Sequence, residues 1–382
     1  MNSGCLSVVA IAGALRFRRN QEQAPIARAV IVSSKAASLA LIVSVLLAST
    51  TALGQSIPDG VQSLDIDQQL DVPLNNGIQG ESRDQADFFL RLGGQAQRNG
   101  NLDKAIANWL QALDIYQQIG DLEGLGLTYE YLGVAYAKLG RYQRAEDSLR
   151  RRVGIARTRD DFQGQIYGLN NLATVLVQAG SFEAAQETLT EALTIARSVK
   201  NQQGEGLSLS NLGLAAAGRG NYFEAIKRYQ AALTLRSQSG DPLGEANTRN
   251  NLGDAYRAVN LPRDAILSYR AALLLAQNSR DVPNQFRSLR GLVQSYGVLG
   301  QYPLAFDALA QHIALVQKEK NRTEELSSLR LSAQLNQATG NVLDARNFYE
   351  RAISLAGVLG DTQEEALLRN DLAQIIYQRR SN

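Results

Sequence analysis

From residue 84 onward the chain repeats itself every 40 positions, and no other feature limits its fold so tightly. Alanine stands at Ala105, Ala145, Ala185, Ala225, Ala265, Ala305 and Ala345. Five residues earlier stand Gly100, Gly140, Gly180, Gly220, Asn260, Gly300 and Gly340. Thirteen residues before each alanine stands a leucine, Leu92 to Leu292, replaced by Ser332 in the last unit. Four residues after it stand Trp109, Leu149, Leu189, Tyr229, Tyr269, Leu309 and Tyr349. Apolar residues three and four apart make a buried helical stripe. A fixed alanine lets two helices approach closely. A glycine or asparagine between two stripes accepts the left-handed backbone that ends a helix. A further row, Asp121, Asp161, Asn201, Asp241, Asp281, Asn321 and Asp361, supplies preferred N-caps for the helix that opens each next unit. The expectation is an all-α array of seven helix–turn–helix units over 83–361. Residues 362–382 supply a capping helix and tail that cover the last apolar face.

Composition narrows the chemistry. Of 382 residues, 45% are hydrophobic and 20% charged, which is a globular balance. The net charge of +2 gives no basic field for nucleic acid. One cysteine (Cys5), one methionine (Met1) and one histidine (His312) exclude a disulfide framework, a Cys/His zinc cluster and any site needing two histidines.

The N-terminal 54 residues read as an address. Residues 36–48, AASLALIVSVLLA, carry no charge and follow Arg16, Arg18, Arg19, Arg28 and Lys35. Ala52-Leu53-Gly54 has the small–x–small form of a cleavage site. The segment is an export leader or, uncleaved, a membrane anchor, and both readings stand. Export fits a bacterial periplasm, or a thylakoid lumen in a photosynthetic host. Removing the leader leaves a body without cysteine, indifferent to an oxidising compartment. Residues 55–82, rich in Gln and Asp with two prolines, read as a flexible acidic spacer.

The repeat resembles the tetratricopeptide repeat. The family pattern stands almost complete as Leu132-Gly133-Val134-Ala135-Tyr136, Gly140-Arg141-Tyr142 and Ala145. It stands again as Leu252-Gly253-Asp254-Ala255-Tyr256, Ala265, Tyr269 and Ala272-Leu273. The 40-residue period is similar to that of repeats in kinesin light chains and spindle-orientation adaptors. The resemblance implies a right-handed superhelical solenoid whose first helices line a concave, ligand-binding face. Departures stand at Asn260, Pro262, Ser332 and Asn336, and at Arg152 and His312 where the pattern has alanine.

Carried onto this chain, the inner positions include Asn170, Asn171, Asn211, Asn250 and Asn251. The ladder Asn171, Asn211, Asn251 either holds the amides of an extended peptide, as in similar peptide-binding repeats, or bonds neighbouring helices and sets the pitch. Arg257, Arg287, Arg290 and Arg330 fall in units five to seven, with Leu127, Val134, Leu207 and Leu214 in units two to four. That pattern predicts an apolar and amide half-groove followed by a cationic half suited to a peptide with acidic residues or a free C-terminus. Arg249, in a register that is otherwise apolar, is expected to snorkel. His312 reads as a packing residue.

No phosphate-cradling glycine loop, Gly-x-Ser-x-Gly or His-Glu-x-x-His is present. The expectation is a non-enzymatic scaffold for a protein or peptide partner, with no cofactor, metal or nucleic acid. An assembly or chaperone-like factor at a membrane complex, associated through an uncleaved leader, and a ligand-responsive regulator are the alternatives.

Overall fold

The computed structural model describes residues 80–381, with side chains to residue 376. The leader and nearly all of the spacer lie outside the described residues. Fifteen α-helices and no strand occur among those described. Seven antiparallel pairs follow one another: α1 Glu81–Arg98 with α2 Leu102–Ile119, α3 Leu122–Lys138 with α4 Tyr142–Thr158, and α5 Phe162–Gln178 with α6 Phe182–Ser198. Then come α7 Gln202–Gly218 with α8 Tyr222–Ser239, α9 Pro242–Ala258 with α10 Pro262–Asn278, α11 Val282–Val298 with α12 Tyr302–Glu319, and α13 Arg322–Ala338 with α14 Val342–Leu359. A last helix, α15 Thr362–Ser381, closes the stack. The chain is thus an all-α repeat solenoid. Helix α1 opens at Glu81, two residues inside the range assigned to the spacer, because Glu81 and Asp84 suit the positive end of a first turn.

Each row of the repeat has the expected physical effect. All seven alanines from Ala105 to Ala345 are fully buried, where paired helices cross. Leu149 and Leu189, one turn further on, are as deeply placed, and burying each contributes about 1.5–3 kcal/mol. A Cβ on Gly253 would lie 2.6 Å from the Tyr269 ring, so only glycine lets α9 and α10 close on that tyrosine. The Asp/Asn row caps as expected. From Asp121 to Asp361, each side chain accepts the backbone N–H three residues on at 2.8–3.1 Å. Pro262 sits at the start of α10, where a missing N–H costs nothing.

The turns inside units are left-handed at Gly100, Gly140, Gly180, Gly220, Asn260, Gly300 and Gly340. A second left-handed row, between units, was not visible in the sequence. It runs Gly120, Asp160, Lys200, Gly240, Arg280, Lys320 and Gly360. Four of its members carry a side chain at φ between 52° and 57°, a conformation that costs L-residues about 1–2 kcal/mol. The next N–H compensates in part by closing onto the helix end, as Asn201 N–H does on Ala196 O at 2.8 Å.

Candidate functional site

The first helices α3, α5, α7, α9, α11 and α13 carry the residues singled out for binding, and most of these turn toward neighbouring helices. Asn170 is fully buried. Its Nδ2 donates to Ile166 O at 2.8 Å and to Ser208 Oγ of the next unit at 2.9 Å. Its Oδ1 accepts from Asn211 Nδ2 at 3.0 Å. Asn171 Nδ2 donates to Glu130 Oε1 at 2.8 Å, one unit back. Asn250, also fully buried, donates to Asn284 Oδ1 at 2.9 Å and accepts from Ser288 Oγ at 2.8 Å. Asn251 accepts from Arg287 at 2.6 Å. Of the two readings of the ladder, the structure supports the one that joins unit to unit. Asn170, Asn171, Asn250 and Asn251 are buried and engaged within the chain, and only Asn211 is half-exposed.

The arginines of the predicted cationic half-groove are engaged within the chain. Arg287 is buried and donates to Asn247 at 3.1 Å, to Asn251 and to Asp254. Asp254 also accepts from the Tyr269 hydroxyl, and Arg257 stands 3.9 Å from it. Burial pushes the Asp254 carboxyl up, but Arg287, Arg257 and the tyrosine outweigh it and hold the group below the usual carboxylate range. Arg290 Nη1 lies 2.9 and 3.1 Å from the Glu324 oxygens, and Arg330 Nη1 lies at the same distances from Glu364. Every predicted arginine therefore stands against a carboxylate of this chain. Arg257 and Arg287 share Asp254, so four arginines face three carboxylates and most of the positive charge of that half is balanced within the chain.

His312 fills the alanine register as a fully buried junction residue. Its Nδ1 is 2.8 Å from Ser328 Oγ, its Nε2 is 3.2 Å from Glu324 Oε2, and the ring sits edge-on to Phe286. Burial raises the Glu324 carboxyl, while the bond from His312 and the charge of Arg290 lower it further than burial raises it. Arg249 snorkels, with both Nε and Nη2 on Glu245 one turn back at 2.8 and 2.6 Å.

One open cleft, of about 640 Å³, lies at units six and seven and is lined by Ile313, Val316, Leu329 and Phe348 together with Lys320, Arg322 and Arg351. Another, of about 540 Å³, lies between units two and four. Leu122, Leu127, Ile155, Tyr167 and Leu207 supply its apolar wall. Three arginines at the cleft are each matched by an acid: Arg159 with Glu123 at 3.3 Å, Arg152 with Glu130 at 3.0 Å, and Arg236 with Asp241. The sequence dictates this locally. Arg152 replaces the packing alanine, and Gly164 makes room for it, since a Cβ there would fall 2.4 Å from its guanidinium. Of the four residues of the predicted apolar half-groove, Leu127 is half-buried at this cleft, Leu207 lines it but is buried, and Val134 and Leu214 lie in the core. Arg159, Glu123, Tyr167 and Ile155 were not singled out from the sequence. Leu127, Leu207 and the break at Arg152 were the signals pointing to this region. Among the described residues, no group of three or more His, Cys, Asp or Glu could hold a metal ion, and no helix is long and apolar enough to cross a membrane.

A family model described as tetratricopeptide repeat matches residues 84–158 and 205–278, and a second of the same description matches 166–199. No curated protein matches the sequence. Among solved structures, the apo form of RapI superposes with a TM-score of 0.55 at 16% identity, covering 72% of this chain and 99% of that one. A Rap protein complexed with competence and sporulation factor superposes at 0.52 and 12% identity, covering 90% and 98%. A signal-transduction ATPase with a tetratricopeptide repeat sensor from Pyrococcus horikoshii superposes at 0.53 and 17% identity. That match covers 75% of this chain and 44% of the ATPase. At such identities the likeness is one of fold.

Proposed function

As this chain is built of tetratricopeptide repeats, we propose that it is a non-enzymatic interaction scaffold that holds an extended segment of a partner protein in the cleft of units two to four. One observation carries the reading: in this cleft Leu122, Leu127 and Tyr167 of successive first helices stay accessible while the polar ladder around them is already engaged. Preorganisation is the mechanism. Glu130 is held by both Arg152 and Asn171, so the wall is ordered before a ligand arrives and less entropy is lost on binding. With its arginines matched, the cleft selects for apolar anchors such as leucine or phenylalanine over acidic side chains. One similar solenoid is complexed with competence and sporulation factor, which supports a segment-holding role. The uncharged stretch 36–48 behind its basic residues supports work outside the cytoplasm.

The test places a photo-crosslinking residue at Tyr167 and, as control, at Leu274, which is 60% exposed on α10 away from the cleft. Adducts from native extract at position 167 and not at 274 are the expected result. Equal labelling overturns the cleft as the binding site. Residues 1–54 fused to a reporter should direct it out of the cytoplasm, and a cytoplasmic reporter would refute export.

A further inference from the structure

We propose that two copies of this chain meet head to head through the outer face of α1, an interface separate from the cleft. The argument begins with one register. Forty-residue equivalents of Phe88 are Thr128, Gly168, Ser208, Thr248, Ser288, Ser328 and Leu368, all of them buried and all but Leu368 small. They are buried because the second helix of the preceding unit packs on them. A Cβ on Gly168 would lie 3.1 Å from Val153 of α4. In α1 the same register holds a phenylalanine that is 49% exposed, resting edge-on against Phe89. Among the described residues no helix packs on this register of α1, and an exposed aromatic there marks a contact face.

The charges on that face name the occupant. At 100° per residue, Glu81, Asp84, Arg91 and Arg98 all fall within about 80° of Phe88. All four are exposed. The acids stand at the N-terminal end and the arginines at the C-terminal end. That order serves the dipole of α1 itself, and it also makes the face self-complementary in the antiparallel sense. Two α1 helices related by a two-fold axis at Phe88 place Asp84 opposite the partner's Arg91. Glu81 then lies within one turn of the partner's Arg98, and the two Phe88 rings meet at the centre. The acidic segment 55–79 fits less well, since it carries only aspartates and would meet Glu81 and Asp84 with like charge. An 18-residue helix is about 27 Å long and buries on the order of 400 Å² per copy, half of what a standard interface uses. The dimer is therefore a weak one, forming at tens of micromolar or above.

The experiment is sedimentation velocity of the full chain from about 1 to about 200 µM. It is run in a non-ionic detergent that keeps residues 36–48 from aggregating, with circular dichroism confirming equal helicity of every variant. The wild type should pass from monomer to dimer. Phe88→Ser, which installs the residue of units four, six and seven, should abolish the transition. Arg91→Asp should weaken it at least tenfold, and Asp84→Arg with Arg91→Asp in one chain should restore it to within about twofold, since like charges across the axis become opposite again. A wild type that stays monomeric overturns the proposal. So does association that none of the three variants alters, which would assign the contact to the apolar stretch instead.

Discussion

Replacing Asn250 by alanine separates the two roles its position allows. The side chain is fully buried and makes two strong bonds between α9 and α11, to Asn284 Oδ1 at 2.9 Å and from Ser288 Oγ at 2.8 Å. Ser288 keeps a second acceptor, Asn284 O at 2.8 Å, so its hydroxyl is not orphaned by the change. Asn284 Oδ1 loses this donor inside the stack. At about 1 kcal/mol per lost bond, and 1–3 kcal/mol for a buried acceptor left unpaired, Asn250→Ala should cost roughly 2–4 kcal/mol. Long repeat arrays do not unfold as one unit, so a single melting temperature would blur the effect. Hydrogen exchange resolves it. Amides of α9 and α11 should exchange about 30-fold faster or more, while those of α1 to α3 stay within about twofold. Ser288→Ala should cost about 1 kcal/mol alone and add less than that to Asn250→Ala, since the two share one bond. Unchanged exchange in α9 and α11, together with lost partner capture, would refute the reasoning and return Asn250 to a ligand-contacting role.

Further outcomes follow from the same contacts. Lys200→Gly and Arg280→Gly should each raise stability by about 0.5–1 kcal/mol in urea titrations, because both residues hold a left-handed backbone (φ 57° and 56°) that glycine adopts freely. Gly253→Ala should lower it by about 1–3 kcal/mol, since the added Cβ would sit 2.6 Å from the Tyr269 ring. Glu324 and Glu364 make the same contact with an arginine but should respond oppositely to pH. Glu324, held below its ordinary value, stabilises the fold above the unfolded carboxyl range, and that share is lost as pH falls through its lowered value. Glu364, raised by burial and by Asp361 and Asp371 against the pull of Arg330, favours the fold when protonated, and that share is lost as pH rises through its raised value. Hydrogen exchange at pH 7 should therefore show amides of α13 exchanging faster in Glu324→Gln, and amides of α15 unchanged or slower in Glu364→Gln.

The period told where each helix lies but not which way its polar residues look. Ala145, Leu149 and Gly140 were legible because one residue type serves one purpose in every unit, so repetition alone reveals the purpose. Asn170 and Arg290 were legible as positions only. Their roles depend on what the next unit places opposite them, at a spacing that is not the repeat length. The structure shows those spacings to be regular. Asn170 with Ser208, Ser210 with Thr248, and Asn250 with Ser288 are bonded at an interval of 38. Asn250 with Asn284, Arg290 with Glu324, and Arg330 with Glu364 are bonded at an interval of 34. The partners two and six residues short of a full period lie earlier on the next first helix, facing back across the junction. Read at 34, the sequence pairs amide with amide and then cation with acid through units five to seven. In units two to four the same partner is Gly164, Gly204 or Gly244, which leaves room rather than a bond. Arg152 and Arg236 occupy that room beside Gly164 and Gly244. The cleft of units two to four opens where the cross-junction partner is glycine, and successive first helices are stapled to one another where it is asparagine or glutamate. A polar residue in a repeat protein therefore has to be read against its neighbour one unit on, short of the period, before it is assigned to a ligand.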